Sequence, residues 1–177
     1  MAVSSVRILG TGQLLDLQRR LRAAGGEHIR SSMQRRIRRA GEPLRDDLKN
    51  TVSSLPIRSA GRASGKRGGP SPTTRPMRAT IAAAIRISVR TAGNPGARVW
   101  VDLARLPRDL RTMPGVLNDG GRGGTPGRIR HPVFANRRRW ATQTTTPLWW
   151  DKTVRTHTPR MTAEVNRILD DVRRQLE

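Results

Sequence analysis

Ile85-Arg86-Ile87-Ser88-Val89-Arg90 and Ala97-Arg98-Val99-Trp100-Val101-Asp102-Leu103, joined across Gly93-Asn94-Pro95-Gly96, decide the fold class. Ile85, Ile87 and Val89 alternate with Arg86, Ser88 and Arg90; Val99, Val101 and Leu103 alternate with Arg98, Trp100 and Asp102. Successive side chains of a strand point to opposite faces, so this pattern predicts a β-hairpin at about 85–103 with one buried face. Trp100 falls in phase with the polar residues, and a neighbouring element or subunit is expected to cover it. Ala79 to Ala84 reads either as a helical lead-in or as an extension of the first strand.

Working outward, Ile29, Met33, Ile37, Ala40, Leu44, Leu48 and Val52 recur at steps of three or four, which predicts an amphipathic helix with Arg-rich flanks. It should stop before Leu55-Pro56, and Pro43, just after Gly41, predicts a kink or a short break. Farther upstream, Val6-Arg7-Ile8-Leu9 reads as a short edge strand. Thr11 then caps a helix striped by Leu14, Leu17 and Leu21 and ended by Gly25-Gly26. Downstream of the hairpin, Leu103 to Leu117 contains Pro107 and Pro114 and reads as short helical turns. Near the end, Thr158 is expected to cap a helix begun by Pro159, with Met161, Val165, Ile168, Val172 and Leu176 on one side. The order predicts an α+β fold: a small antiparallel β-sheet packed by N-terminal helices and a C-terminal helix, with long basic loops.

Length and composition bound this reading. With 177 residues, the chain suits a single domain over 1–177. Only 34% of residues are apolar and 27% are charged, so the core must share the chain with exposed arms. Residues 58–78 alternate Gly and Pro with Ser and basic residues and hold no acid; residues 119–130 contain five Gly and Pro126. Both are expected to be flexible basic arms. Against 13 acidic residues stand 35 basic ones, for a net charge of +22, which indicates polyanionic partners, either nucleic acid or acidic protein surfaces. All of the basic residues except Lys49, Lys66 and Lys152 are Arg, a skew that GC-rich coding also produces.

The absence of Cys excludes disulfides and thiolate metal sites. No apolar run approaches the ~20 residues of a membrane span, and the apolar segment near Met1 is too short for a signal peptide. No membrane partner is expected. His28, His131 and His157 lack metal-ligand spacing. Asp46-Asp47 and Asp170-Asp171 sit among basic residues and read as surface ion-pair acids. Gly61-Arg62-Ala63-Ser64-Gly65-Lys66 is one residue short of a phosphate-binding loop, follows no strand and has Arg67 where the hydroxyl residue belongs. No catalytic centre or cofactor is expected, and the chain reads as a non-enzyme.

Arg128 to Trp150 concentrates the scarce large side chains: Phe134, Trp140, Trp149 and Trp150, four of five aromatics in the chain. Phe134 and Trp140 are expected to anchor the core. Trp149 and Trp150 are adjacent and, if extended, cannot share one interior, so one of them is expected at a subunit interface, as is Trp100.

His131-Pro132-Val133-Phe134-Ala135-Asn136-Arg137, followed by Trp140, Gln143, Pro147 and Trp149-Trp150, resembles the signature of neck, head–tail joining and tail-completion (tail-terminator-like) proteins of long-tailed (siphovirus) phages. Met113-Pro114, Leu117-Asn118 and Gly120-Gly121-Arg122 extend the resemblance upstream, so that it covers roughly Leu103 to Trp150. Ala135 stands where the family usually has Gly, and Gly123 to Arg128 looks like additional loop.

The resemblance implies a small α+β virion subunit, assembled in the host cytoplasm and arranged as a homo-oligomeric ring, usually of six. Its partners would be the adjoining connector and tail-tube proteins, with duplex DNA passing non-specifically through the channel. His131, Pro132, Phe134, Asn136 and Trp140 would be its motif anchors. Six copies at +22 each would enclose only about 24 phosphates in a ring of domain height, so a minority of Arg should line a channel. The candidates are Arg62, Lys66, Arg67, Arg75 and Arg122, on the basic arms. Composition leaves open the alternative of a free, non-specific nucleic-acid-binding protein of ribosomal or nucleoid type.

Overall fold

A computed structural model describes residues 5–9, 27–59, 76–90, 96–121, 123–133 and 136–174. In chain order these form β1 (Ser5–Leu9), α1 (Glu27–Ser54), β2 (Ile57–Ser59), α2 (Met77–Ala83), β3 (Ile85–Arg90) and β4 (Gly96–Val101). Two 3-10 turns follow, Leu103–Arg105 and Arg108–Leu110, then α3 (Met113–Asp119), β5 (Arg128–Val133), β6 (Asn136–Thr145) and α4 (Trp149–Arg174). The class is α+β: long N- and C-terminal helices with small antiparallel sheets, including the β3–β4 hairpin. Length suggests one domain over 1–177; the residues group into two compact units, and both α1 and α4 contribute to each. The expected helix at Leu14, Leu17 and Leu21 lies outside the described residues, as does Leu176.

One unit, the helix-pair unit, takes its described residues from Ser5–Asp47, Ile85–Trp100 and Thr153–Glu177. Its sheet has the order β1-β4-β3, with Ser5 opposite Trp100 and Leu9 opposite Gly96, so the expected edge strand is indeed at an edge. The helical periodicity of α1 puts Met33 and Ile37 on the face that packs with Val165, Ile168 and Val172 of α4 and Ala97 of β4; Ala40 and Val89 lie partly buried against them. Gly41 permits this approach of helix and sheet, because a Cβ there would stand 2.5 Å from Ile87 Cδ1.

Across the same two helices, His157 Nε2 and Asp47 Oδ2 are 2.9 Å apart. Asp171 accepts from Arg36 and Arg174, and the guanidinium of Arg36 foremost holds its carboxyl below the ordinary aspartate range. The acids of Asp46-Asp47 and Asp171 therefore serve ion pairs or the histidine contact.

Both prolines expected to punctuate helices lie inside them. α1 runs from Glu27 to Ser54 through Pro43, and α4 from Trp149 to Arg174 through Pro159. Thr158 therefore caps nothing: its hydroxyl donates to the Val154 carbonyl one turn back, at 2.8 Å. Pro159 and Arg155 are both exposed, so water can serve the carbonyl that the missing N–H leaves, and the buried Trp149, Trp150 and Thr153 hold the preceding turns in place.

The other unit, the hairpin unit, draws on Leu48–Ala84 and Val101–Lys152. Leu48, Val52, Leu55, Ile81, Leu117 and Ile129 are among its buried residues. Its sheet has the order β2-β6-β5, three strands not expected from the sequence. Pro132 argues locally against β5, because proline cannot donate to a ladder and is tolerated only on edges and at bulges. Here β5 is the edge, and the register shifts directly after Pro132. Pro132 pairs with Trp140 and Val133 with Asn136, so Arg137, Arg138 and Arg139 fall between consecutive partners as a bulge.

Leu103, expected as the last inward residue of the hairpin, is 43% exposed. The strand ends at Val101, and Asp102 turns the chain by accepting from the Ala104 N–H at 3.2 Å.

Candidate functional site

Asn118, the penultimate residue of α3, ties two of the resemblance-bearing segments directly by reaching Leu148, Trp150 and Asp151 at the start of α4. Its carbonyl accepts from the Leu148 N–H at 2.7 Å, its Oδ1 from the Trp150 N–H at 3.1 Å, and its Nδ2 donates to Asp151 Oδ2 at 2.7 Å. The first N–H groups of a helix have no partner within it, so Asn118 acts as a cap for α4 reached from 32 residues away. This contact also holds Leu148 in the left-handed region at φ 58, a conformation unfavourable for any residue with a branched side chain. From the Leu148 carbonyl, accepting from Lys152 N at 2.9 Å, the first turn of α4 begins. Asn118→Ala should therefore cost about 1–2 kcal/mol, read as a lower urea midpoint, whereas an unchanged midpoint would mean the cap is idle.

Capping decides the fate of the two adjacent tryptophans. In an extended segment one would face outward; at the start of a helix, successive side chains diverge by roughly 100°, and both can turn inward. Trp149 is 2% and Trp150 3% exposed, with their rings edge to face at 5.6 Å. The expectation that one of them reaches a subunit interface is thus corrected: each is used inside its own chain. Trp100 is half-buried, with the Arg98 guanidinium 5.2 Å above its ring, which leaves part of that ring for a neighbour.

Trp140 is the second correction. Expected in the core, it is 48% exposed. The β5–β6 register is the cause: Arg128 faces Thr144, Arg130 faces Thr142, and Arg58 of β2 also faces Thr144, so these residues and Trp140 share one sheet face while Ile129 takes the other. Arg130 lies over the Trp140 ring, 5.1 Å from its centroid. Trp140→Ala should consequently change stability by less than about 1 kcal/mol, and a loss of soluble protein would contradict this placement.

Beside that face, the described residues of 119–130 include two turns: the Gly121 carbonyl accepts from Gly124 N at 3.1 Å and the Thr125 carbonyl from Arg128 N at 3.0 Å. Gly120 has φ 87, and a Cβ on Gly124 would come within 1.9 Å of the Gly120 carbonyl oxygen, so neither position has room for a side chain. The Gly127 carbonyl accepts from Thr145 N at 2.9 Å, stitching the second turn to β6.

His131, Pro132 and Asn136 occupy strand positions in β5 and β6, but their side chains, Phe134 entirely, and the five channel candidates Arg62, Lys66, Arg67, Arg75 and Arg122 lie outside the described residues. Most of the 58–78 arm does so too. Among the described residues no helix is long and apolar enough to cross a membrane, and no group of three or more metal-ligating side chains occurs.

Asn118 as a cap, and Arg58, Arg128 and Arg130 as one basic row, were not read from the sequence. The alternation Arg128-Ile129-Arg130 was the available signal for the second; nothing local signals the first. No family model, curated protein or solved structure matches the chain.

Proposed function

We propose that the chain is a structural virion protein of a long-tailed phage, a neck or tail-completion subunit that forms a ring between the capsid connector and the tail tube. The observation that supports this most is the joining of the resemblance-bearing segments: Met113-Pro114 and Asn118, the β5–β6 hairpin and Trp149-Trp150 belong to one compact unit, tied at its ends through Asn118.

In such a ring, six copies carry the charge of +22 each, most of it turned to neighbouring rings and solvent, and duplex DNA slides through on diffuse phosphate contacts. The part of Trp100 left uncovered is the interface candidate that survives. The subunit supplies no reaction; it plugs against its copies and bridges the two adjoining assemblies.

The test is cryo-electron microscopy and protein composition of particles of the phage that encodes the chain. About six copies per particle at the head–tail joint are expected. A chain absent from particles and recovered with ribosomes or nucleoid overturns the reading and favours the nucleic-acid-binding alternative.

A further inference from the structure

We propose that the outer face of the β2-β6-β5 sheet is a binding site for single-stranded nucleic acid, with a base stacked at Trp140 and phosphates held by Arg58, Arg128 and Arg130. The first support is a row of charge with no acid beside it. Several guanidinium groups elsewhere do have acids beside them: Arg36 and Arg174 share Asp171, Arg45 has Glu42 and Asp46, Arg105 has Asp102, and Arg167 has Glu164. Among the described residues no carboxylate pairs with Arg58, Arg128 or Arg130, and all three are exposed. A row of basic side chains without acids on one face is the electrostatic footprint of a polyanion.

The second support is shape. A cleft of about 520 Å³ opens on this face, lined among others by Gly124, Thr125, Arg128, Arg130, Trp140 and Thr142, with no carboxylate among the described lining residues. That volume is in the range that holds a small organic ligand. Its contents sort by chemistry into a half-exposed indole, two guanidinium groups and two threonines, which suit a flat ring, a phosphate and polar edges, respectively. Side chains two apart on a strand recur at about 6.8 Å, so Arg128 and Arg130 present charges at a repeat comparable with consecutive phosphates of an extended strand.

The third support is selectivity for a single strand over a duplex. An indole reaches the face of a base only when that base is unstacked, and stacking on aromatics tolerates any sequence because every base has a π-face. Arg130, already over the Trp140 ring, completes the arrangement by adding a cation to the stack. The inference is independent of the ring: a ring that binds no single strand overturns only this proposal.

Fluorescence anisotropy of the full chain with labelled oligothymidylate, a blunt duplex of the same length and heparin as competitor tests it. Wild-type protein should hold oligothymidylate more tightly than the duplex at moderate salt. Trp140→Ala should weaken oligothymidylate binding about tenfold, with Trp140→Phe restoring most of it. Arg128→Gln with Arg130→Gln should flatten the dependence of log affinity on log salt by about 1.4. The control pair Arg108→Gln with Arg155→Gln, both exposed elsewhere, keeps the net charge equal to that of the test pair. Unchanged binding by Trp140→Ala, equal affinity for duplex and single strand, or an equal loss in the control pair would each overturn the site and leave only general attraction of a basic protein for polyanions.

Discussion

Trp150→Ala should lower the stability of the hairpin unit by about 3–5 kcal/mol, the range for truncating a buried large aromatic. Trp150 is 3% exposed and meets the Trp149 ring edge to face at 5.6 Å, so the substitution removes buried area, leaves a cavity and breaks an aromatic pair. Urea denaturation followed by the remaining tryptophans would show the midpoint falling well below that of the wild type, with Trp140→Ala close to wild type as the contrast. The opposite order, Trp140 costly and Trp150 tolerated, would restore the sequence-based assignment in which Trp140 anchors the core and a later tryptophan serves an interface. Because loss of fold and loss of assembly look alike in a ring-forming protein, the measurement belongs on the dilute free chain.

Ile168→Ala should destabilise the helix-pair unit by about 2–5 kcal/mol. Ile168 is 1% exposed and sits in the cluster with Met33, Ile37, Ala97, Val165 and Val172, where two helices and a strand meet and none can collapse fully into the space left behind. Asn166→Ala, exposed on the same helix, should stay within roughly 0.5 kcal/mol. Equal effects of the two variants would mean that α1 and α4 are not packed through this face. With the residues grouped into two units, denaturation need not be a single transition, so amide exchange of each unit is the companion measurement.

The two predictions differ in how far ahead the sequence announced them. Ile168 and its partners on α1 were legible because helical burial is local: a repeat of three or four residues marks the inward face before any partner is known. The stop before Leu55-Pro56 was legible on similar grounds, and so was the β3–β4 hairpin, where alternation of period two carries the same information.

Tertiary structure alone decided the aromatic segment. Trp140 faces out because β5 and β6 pair in one register, and a shift of one residue would have turned it inward. Trp149 and Trp150 both face in because α4 starts at Trp149, and it starts there because Asn118, 32 residues earlier than Trp150, accepts from its first turn. Pro159 marks a helix start in any local reading, yet the buried turns before it carry the helix through. Periodicity, turn residues and charge are properties of neighbours along the chain, and the sequence determined what depends on them: the α+β class, the α1 and α4 stripes, the hairpin and the excess of positive charge. Strand register and a cap supplied from another element depend on residues far apart in the chain, whose pairing no local pattern encodes; they decided which tryptophans are core and which one stands on a basic surface.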